Sequence, residues 1–132
     1  MGTDEKRILL VEDDRFLRRA CEKHLRQLGY TVLTAVDGEE ALQKVRAERP
    51  DLVLLDLLMP KMSGIEVLQI MKSDESSRAI PVFILTNSSK DTDIREITNL
   101  GAAGYHVKAD LSLEELGRQV QRILEGHGDG QS

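Results

Sequence analysis

The chain has 132 residues, 40% of them hydrophobic, and a formal net charge of −5. This length suits one domain built around one core, and the negative charge argues against a general binder of nucleic-acid backbones, which needs a basic stripe. Cys21 is the only cysteine, so the chain has neither an internal disulfide nor a thiolate cluster for zinc.

The amino-terminal residues MGTDEKR contain no apolar segment, and every aliphatic run is too short to span a bilayer. The sequence therefore predicts a cytoplasmic protein without a membrane segment. We expect residues 1–6 to be a lead-in, residues 7–125 to form one domain and residues 126–132 to be a flexible tail.

Five short segments rich in aliphatic and β-branched residues recur along the chain and predict strands. They cover residues 7–12, 31–36, 51–56, 81–86 and 104–108. Stretches with helical spacing separate them, and this alternation is typical of a parallel sheet covered on both faces. The pattern predicts an α/β fold, a single doubly wound (βα)5 domain.

The first predicted helix has an apolar stripe that ends at Gly29, a residue suited to the position after a helix. An apolar stripe of this kind is expected to face the core. Its members are Phe16, Leu17, Ala20, Cys21, Leu25 and Leu28. The second helix carries Ala41, Leu42 and Val45 inward and must end before Pro50.

The third helix is predicted to open at Ser63 and Gly64, and a fourth to run over residues 91–100. The last should begin at Ser112, where Glu115 stands three residues on and completes the pattern of a capping box.

Polar side chains stand where four of the predicted strands end. They are Glu12, Asp13 and Asp14 after the first strand, Asp56 after the third, Thr86 and Asn87 after the fourth, and Lys108 after the fifth. The carboxyl ends of parallel strands face one edge of the sheet, which is where open α/β folds bind ligands. We therefore expect these side chains to meet.

Several carboxylates with few neutral ligands suit a hard divalent cation such as Mg²⁺. A carboxylate flanked by a cation and a lysine is a candidate nucleophile towards a phosphoryl group. Taken singly, Asp56 could instead be a residue that opens a turn, and Asp14 fits the N-cap of the first helix as well as it fits a metal site.

The segments LLVEDD, LLDLLMPKMSG, ILT and GYHVK follow one another over residues 7–125 and resemble the receiver domain of two-component response regulators. The resemblance implies a five-stranded parallel sheet of order 2-1-3-4-5 with helices on both faces. It also implies that Asp56 is the phosphoacceptor, and that Glu12 and Asp13 hold Mg²⁺ with Asp56 and the backbone carbonyl of Leu58.

The same resemblance implies that Thr86 binds a phosphoryl oxygen and moves with it, that Lys108 pairs with the phosphoryl group, and that Tyr105 is an aromatic switch. From the residues alone, the alternative is that Tyr105 is a half-buried packing residue. Ala109 follows the lysine where the family usually has proline. A cis peptide without proline costs about 2.5 to 4 kcal/mol, so the sequence predicts a trans bond here or a strained cis one.

The partners implied are a histidine kinase or phosphotransfer protein as donor and an effector protein that binds the surface of the fourth helix, fifth strand and fifth helix. We expect a monomer or weak dimer with no direct contact to nucleic acid. Such a module catalyses only its own phosphorylation and dephosphorylation, so it is not an enzyme in the usual sense.

Three other classes compete with this interpretation. A phosphorylation-silent adaptor with the same fold is supported only by the missing proline. A small Mg²⁺-dependent phosphohydrolase would need a second aspartate at position 58, where the sequence has Leu58. A flavin carrier conflicts with the acidic loop after the first strand, because these acids would repel a flavin phosphate.

Overall fold

A computed structural model describes residues 5–87 and 90–129, without the side chains of residue 91 and residues 127–129. Strands and helices alternate through this part of the chain. In order they are β1 (Arg7–Val11), α1 (Arg15–Gln27), β2 (Thr31–Ala35), α2 (Gly38–Glu48), β3 (Leu52–Asp56), α3 (Gly64–Ser73), β4 (Val82–Thr86), α4 (Asp91–Asn99), β5 (Gly104–Val107) and α5 (Leu113–Asp129). A one-turn 3-10 helix, Lys108–Asp110, connects β5 to α5.

The five strands form one sheet in the order β2-β1-β3-β4-β5, and every neighbouring pair is parallel. The α/β fold and the strand order expected from the sequence are therefore confirmed. Because all the strands run the same way, their carboxyl ends lie at one edge of the sheet.

Two hydrophobic layers cover the two faces of the sheet. Successive strand residues point to opposite faces, so Leu9 and Val11 of β1 join one layer while Ile8 and Leu10 join the other. Helices α2, α3 and α4 complete the first layer, and α1 and α5 complete the second. Strands β3 and β4 are buried along their whole length, as expected for parallel strands covered on both faces.

The α1 stripe expected to face the core is only partly buried, and this part of the prediction is wrong. Cys21 and Leu25 are fully buried and Leu17 packs partly against the same layer. The exposed members are Phe16 at 87%, Leu28 at 51% and Ala20. Each residue turns an α-helix by about 100°, which places Phe16 and Ala20 on the flank away from the sheet. Leu28 is the C-cap, beyond the last helical turn.

Helix ends follow the predicted signals closely. The side chain of Asp14 caps α1, and Ser63 forms a reciprocal capping box with Glu66 at the start of α3. At α5 the hydroxyl of Ser112 accepts a hydrogen bond of 3.0 Å from the backbone N–H of Glu115. The Glu115 carboxylate bonds side chains of its own helix, so the structure shows only the hydroxyl half of the predicted capping box there.

Helix α5 ends at Asp129, beyond residue 125 at which the sequence predicts the folded domain to end. Residues 1–4 and 130–132, which include most of the predicted lead-in and the end of the predicted tail, lie outside the described residues. No helix within 5–87 and 90–129 combines the length and apolar character needed to cross a bilayer.

Gly64 brings the start of α3 against the end of β3. Its backbone N–H donates a 2.8 Å hydrogen bond to the carbonyl of Leu57. A Cβ atom on Gly64 would lie 2.2 Å from the carbonyl oxygen of Asp56 and 2.7 Å from the Cα of Leu57. Both obstacles are backbone atoms, so the close approach requires glycine and holds the backbone that carries Asp56.

We expect Gly64→Ala to lower the free energy of unfolding by about 1 to 3 kcal/mol or more, because the added methyl group forces the two backbones apart. Gly126→Ala is the matched control, since a Cβ at Gly126 meets nothing within 4 Å. That variant should gain about 0.5 to 1 kcal/mol from helix propensity. Urea denaturation measures both, and equal effects of the two substitutions would contradict the packing described.

Candidate functional site

The loop after β1 turns one acid inward and the next outward. Glu12 is fully buried, whereas Asp13 is exposed. The backbone N–H of Glu12 donates to the carbonyl of Ala35 at 3.0 Å, which extends the pairing of β1 with β2. Glu12 Oε2 accepts a hydrogen bond of 3.0 Å from the backbone N–H of Asp14. The side chain of Glu12 is thereby fixed at the carboxyl edge of the sheet.

Asp56 is the last residue of β3 and is 2% exposed. Its place in the strand continues the series of Leu52 and Leu54, so its side chain lies towards the layer covered by α1 and α5. Glu12 continues the series of Ile8 and Leu10 in the same way. The alternation of the two strands thus delivers both carboxylates to the same side of the sheet edge.

Lys108 joins these two carboxylates. Its Nζ lies 3.1 Å from Asp56 Oδ2 and 2.8 Å from Glu12 Oε1, and it donates a 3.0 Å hydrogen bond to Glu12 Oε2. The Lys108 side chain is 13% exposed, so the contact is shielded from water. One ammonium therefore serves two buried carboxylates.

The charges at this site shift the ionisation of its members. Burial, together with the charge of Glu12, raises the pKa of Asp56 from 3.8 to about 6, although Lys108 acts in the opposite direction. Burial acts to lower the pKa of Lys108, but hydrogen bonding to Glu12 and the charges of Asp56 and Glu12 outweigh it and raise that pKa. Asp56 is thus a carboxylate whose ionised form is under-stabilised by the protein itself.

The arrangement fits a divalent cation. Ligand oxygens of Glu12, Asp13 and Asp56 lie within 4.8 Å of one another. Glu12 Oε1 is buried and accepts no hydrogen bond from any residue in the described part of the chain, although it lies close to Lys108. Buried carboxylate oxygens normally have hydrogen-bond or metal partners, and an all-oxygen donor set is the one Mg²⁺ prefers.

Leu58 and Thr86 flank Asp56. The backbone N–H of Leu58 donates to Asp56 Oδ1 at 3.3 Å, and the Leu58 side chain is 67% exposed. Thr86 ends β4, is 2% exposed and lies beside Val107 of β5. Leu58 and Thr86 line one groove that opens to solvent. The Leu58 carbonyl as a metal ligand and Thr86 as a phosphoryl contact remain predictions.

The segment after β5, which carries Lys108, contains no cis peptide bond. No cis bond occurs within 5–87 and 90–129, so the Lys108–Ala109 bond is trans, the first of the two forms that the sequence allows. Lys108 begins the one-turn 3-10 helix and still reaches both carboxylates. Tyr105, two strand positions before Val107, is 41% exposed, and its role as a switch remains a prediction.

Cys21 lies fully buried in α1, as its predicted packing role requires. Burial, and to a smaller extent the charge of Glu12, raises the pKa of its thiol to about 11. The thiol is therefore protonated at neutral pH, which fits a packing residue.

Two cationic side chains next to the site were not identified from the sequence: one contacts the loop after β1, and the other belongs to the loop after β3. Arg18 donates from Nη1 to the backbone carbonyls of Glu12 and Asp13, at 3.0 and 3.4 Å. Lys61, in the loop after Asp56, lies 3.6 Å from the carboxylate of Asp37. A signal for Arg18 exists: it is one turn past the N-cap, and helical side chains point back towards the N-terminus. Nothing in the sequence marks Lys61.

Comparisons with known proteins agree on one family. The model of the response regulator receiver domain matches residues 8–121. A probable transcriptional regulator, ycf27 of Cyanophora paradoxa, is 39% identical over 124 residues, which cover 94% of this chain and 50% of that protein. The chain thus spans about half the length of the curated relatives it matches.

Solved structures are similar over nearly the full chain. The phosphorylated cyanobacterial phytochrome response regulator RcpA is 34% identical, with a TM-score of 0.80 and coverage of 97% of both chains. The Mn²⁺-bound form of response regulator Rcp1 is 30% identical, with a TM-score of 0.79 and coverage of 96% of this chain and 97% of that one.

Because ionisation of the buried Asp56 carboxyl is unfavourable, we expect the free energy of unfolding to depend on pH when a chelator is present. Below pH 3.8 the carboxyl is protonated in both folded and unfolded chains. Between pH 3.8 and about 6 the unfolded chain has lost this proton while the folded chain still holds it, so the folded state becomes relatively less stable as the pH rises through this range. Asp56→Asn removes the ionisation and should gain about 1 to 3 kcal/mol near neutral pH and little in acid.

Urea denaturation of the wild type and Asp56→Asn across this pH range measures the difference. Asp110→Asn, which removes an exposed acid from the turn after Lys108, is the control and should show no such trend. A wild type that is the more stable of the two at neutral pH would contradict the stated environment of Asp56.

Proposed function

This chain belongs to the response regulator receiver domain family of two-component signalling, and we propose that its Asp56 accepts a phosphoryl group from a phosphohistidine donor. One observation carries the proposal: a buried carboxylate at the carboxyl edge of the sheet lies 3.1 Å from a lysine whose side chain is only 13% exposed, and it shares a candidate cation site with two further acids. The phosphorylated relative RcpA, of the same fold, supports it.

Asp56 acts as the nucleophile in this proposal. A carboxylate oxygen attacks phosphorus while the P–N bond of the phosphohistidine breaks, and the electron pair of that bond goes to the imidazole nitrogen. The environment of Asp56 under-stabilises its negative charge, which favours transfer of that charge to the incoming group. Hydrolysis follows when water attacks the same phosphorus, which releases inorganic phosphate and restores the carboxylate.

Lys108 has a different partner before and after transfer. Its ammonium already faces the position beside Asp56 Oδ2 and is held there by Glu12. Once Asp56 carries the phosphoryl group as an acyl phosphate, the phosphoryl oxygens become the nearest anions, and Lys108 pairs with them. Glu12 keeps the ammonium in place during the exchange because it contacts Lys108 independently of Asp56.

The residues that would hold Mg²⁺ are Glu12, Asp13 and Asp56, with the backbone carbonyl of Leu58 as a further oxygen ligand. A bound divalent cation supplies positive charge that neutralises the phosphoryl oxygens during transfer. The Mn²⁺-bound relative Rcp1 supports a divalent cation in this fold. In this chain Glu12 Oε1 is buried, lies 2.8 Å from Lys108 Nζ and accepts no hydrogen bond from the described residues, so it has room for a metal ligand role.

An effector protein would detect phosphorylation through a change in the surface formed by α4, β5 and α5. Thr86 ends β4 beside β5, and Tyr105 stands on β5 with 41% of its surface exposed. Contact of Thr86 with a phosphoryl oxygen would bias the two residues towards one arrangement. The surface of α4, β5 and α5 is then the place where an effector protein distinguishes the two states.

The alternative functions fit less well. A silent adaptor would not need Lys108 to contact two buried carboxylates. In a phosphohydrolase of the type considered above, the residue two positions after the nucleophile is acidic, whereas here it is Leu58 with its side chain directed to solvent. No observation in the described residues favours either function over a receiver.

We expect acetyl phosphate with Mg²⁺ to add one phosphoryl group to the wild type and none to Asp56→Asn, because the amide is not a nucleophile. Intact-protein mass spectrometry measures the addition. Asp51→Asn is a matched control, since Asp51 lies just before β3, at the opposite end of that strand, and should leave phosphorylation unchanged. Phosphorylation of Asp56→Asn, or of neither protein, would contradict the proposal.

A further inference from the structure

Arg18 reaches from the first turns of α1 back to the loop that carries Glu12 and Asp13. Its Nη1 donates a 3.0 Å hydrogen bond to the carbonyl of Glu12, and the carbonyl of Asp13 lies at 3.4 Å, a longer contact. Arg18 is partly buried, and its own backbone N–H donates to the carbonyl of Asp14 at 2.9 Å. The side chain and the backbone of one residue therefore hold three successive carbonyls.

The guanidinium contacts carbonyl oxygens of the loop, while the hydrogen bonds that orient the Glu12 carboxylate come from Lys108 and the backbone of Asp14. Arg18 therefore leaves the proposed ligand atoms of Glu12 and Asp13 to other partners. It fixes the peptide units from which those two side chains project. This matters most for Asp13, whose exposed side chain has the least packing to orient it.

We propose that Arg18 is a positioning residue for the divalent cation, which it assists by holding the loop so that Asp13 and Glu12 both face Asp56. The inference rests on the cation site of the proposed function. It concerns a residue that would contact neither the ion nor the phosphoryl group. Residues that orient metal ligands in this indirect way commonly contribute about 10-fold or more to metal affinity.

Electrostatics and positioning predict opposite results for the loss of Arg18. A cation beside three acids repels a second cation, so removal of its charge alone would strengthen Mg²⁺ binding. Loss of the two carbonyl contacts would loosen the loop and weaken Mg²⁺ binding instead. A purely structural role in α1 would lower the free energy of unfolding and leave the affinity for Mg²⁺ as it is. The direction of the change in affinity therefore separates the three roles.

The experiment is calorimetric titration of Mg²⁺ into the wild type, Arg18→Met and Arg19→Met. Arg19 is the next residue of α1 and is exposed, so its variant loses the same charge from nearly the same place. We expect Arg18→Met to bind Mg²⁺ about 10-fold more weakly or worse. Arg19→Met should bind as tightly as the wild type or slightly more tightly.

Arg18→Lys provides a second measurement that does not depend on the fold of Arg18→Met. It keeps the charge but replaces the planar fork with a single ammonium, which suits one carbonyl better than two. Its affinity for Mg²⁺ should fall between those of the wild type and Arg18→Met, or below that of the wild type where Arg18→Met does not fold. Urea denaturation of each variant shows that the titrated protein is folded.

If Arg18→Met and Arg18→Lys bind Mg²⁺ as tightly as the wild type or more tightly, the positioning role is overturned. The proposed function would stay intact. An equal loss of affinity in Arg19→Met would overturn the positioning role as well, because the loss would then not depend on the contacts of Arg18 with the loop carbonyls. Failure of the wild type itself to bind Mg²⁺ would contradict the cation site of the proposed function, and the inference would fall with it.

Discussion

The contact of Lys108 with Glu12 and Asp56 is the interaction on which the rest of the site depends. It joins residues 96 positions apart and lies almost wholly out of water. Loss of the ammonium from such a buried cluster is strongly destabilising because it leaves the carboxylates uncompensated. Here two carboxylates face one ammonium, so the pairing is incomplete even in the intact protein. That remaining negative charge is the physical basis of the proposed cation site and of the phosphoryl transfer proposed for Asp56.

The fold delivers these groups by simple means. Parallel strands bring their carboxyl ends to one edge, and the alternation of side chains turns Glu12 and Asp56 to the same side of it. Asp14 caps α1 immediately beyond the acids, and Gly64 lets α3 begin against the backbone of Asp56. The loops that carry function are therefore short and held at both ends, which keeps carboxylates close together despite their mutual repulsion.

Much of this could be predicted from the sequence, because strand periodicity and end signals are local. The strand ends, the N-cap at Asp14 and the convergence of acids with Lys108 all follow from such patterns. The exposure of Phe16 could not be predicted, since it depends on how α1 is rotated about its axis against the sheet. The contacts of Arg18 were missed because they are made to backbone carbonyls, and only its position one turn past the N-cap points to them.

The central claim is that the buried acids of this site lack one positive charge, which a divalent cation supplies. The most direct test is the free energy of unfolding of the wild type against Mg²⁺ concentration, with sodium chloride at equal ionic strength as the control. Binding to the folded state alone predicts that stability rises with the logarithm of Mg²⁺ concentration once binding approaches saturation, and that sodium chloride has no comparable effect. Equal stability in both salts would contradict the account.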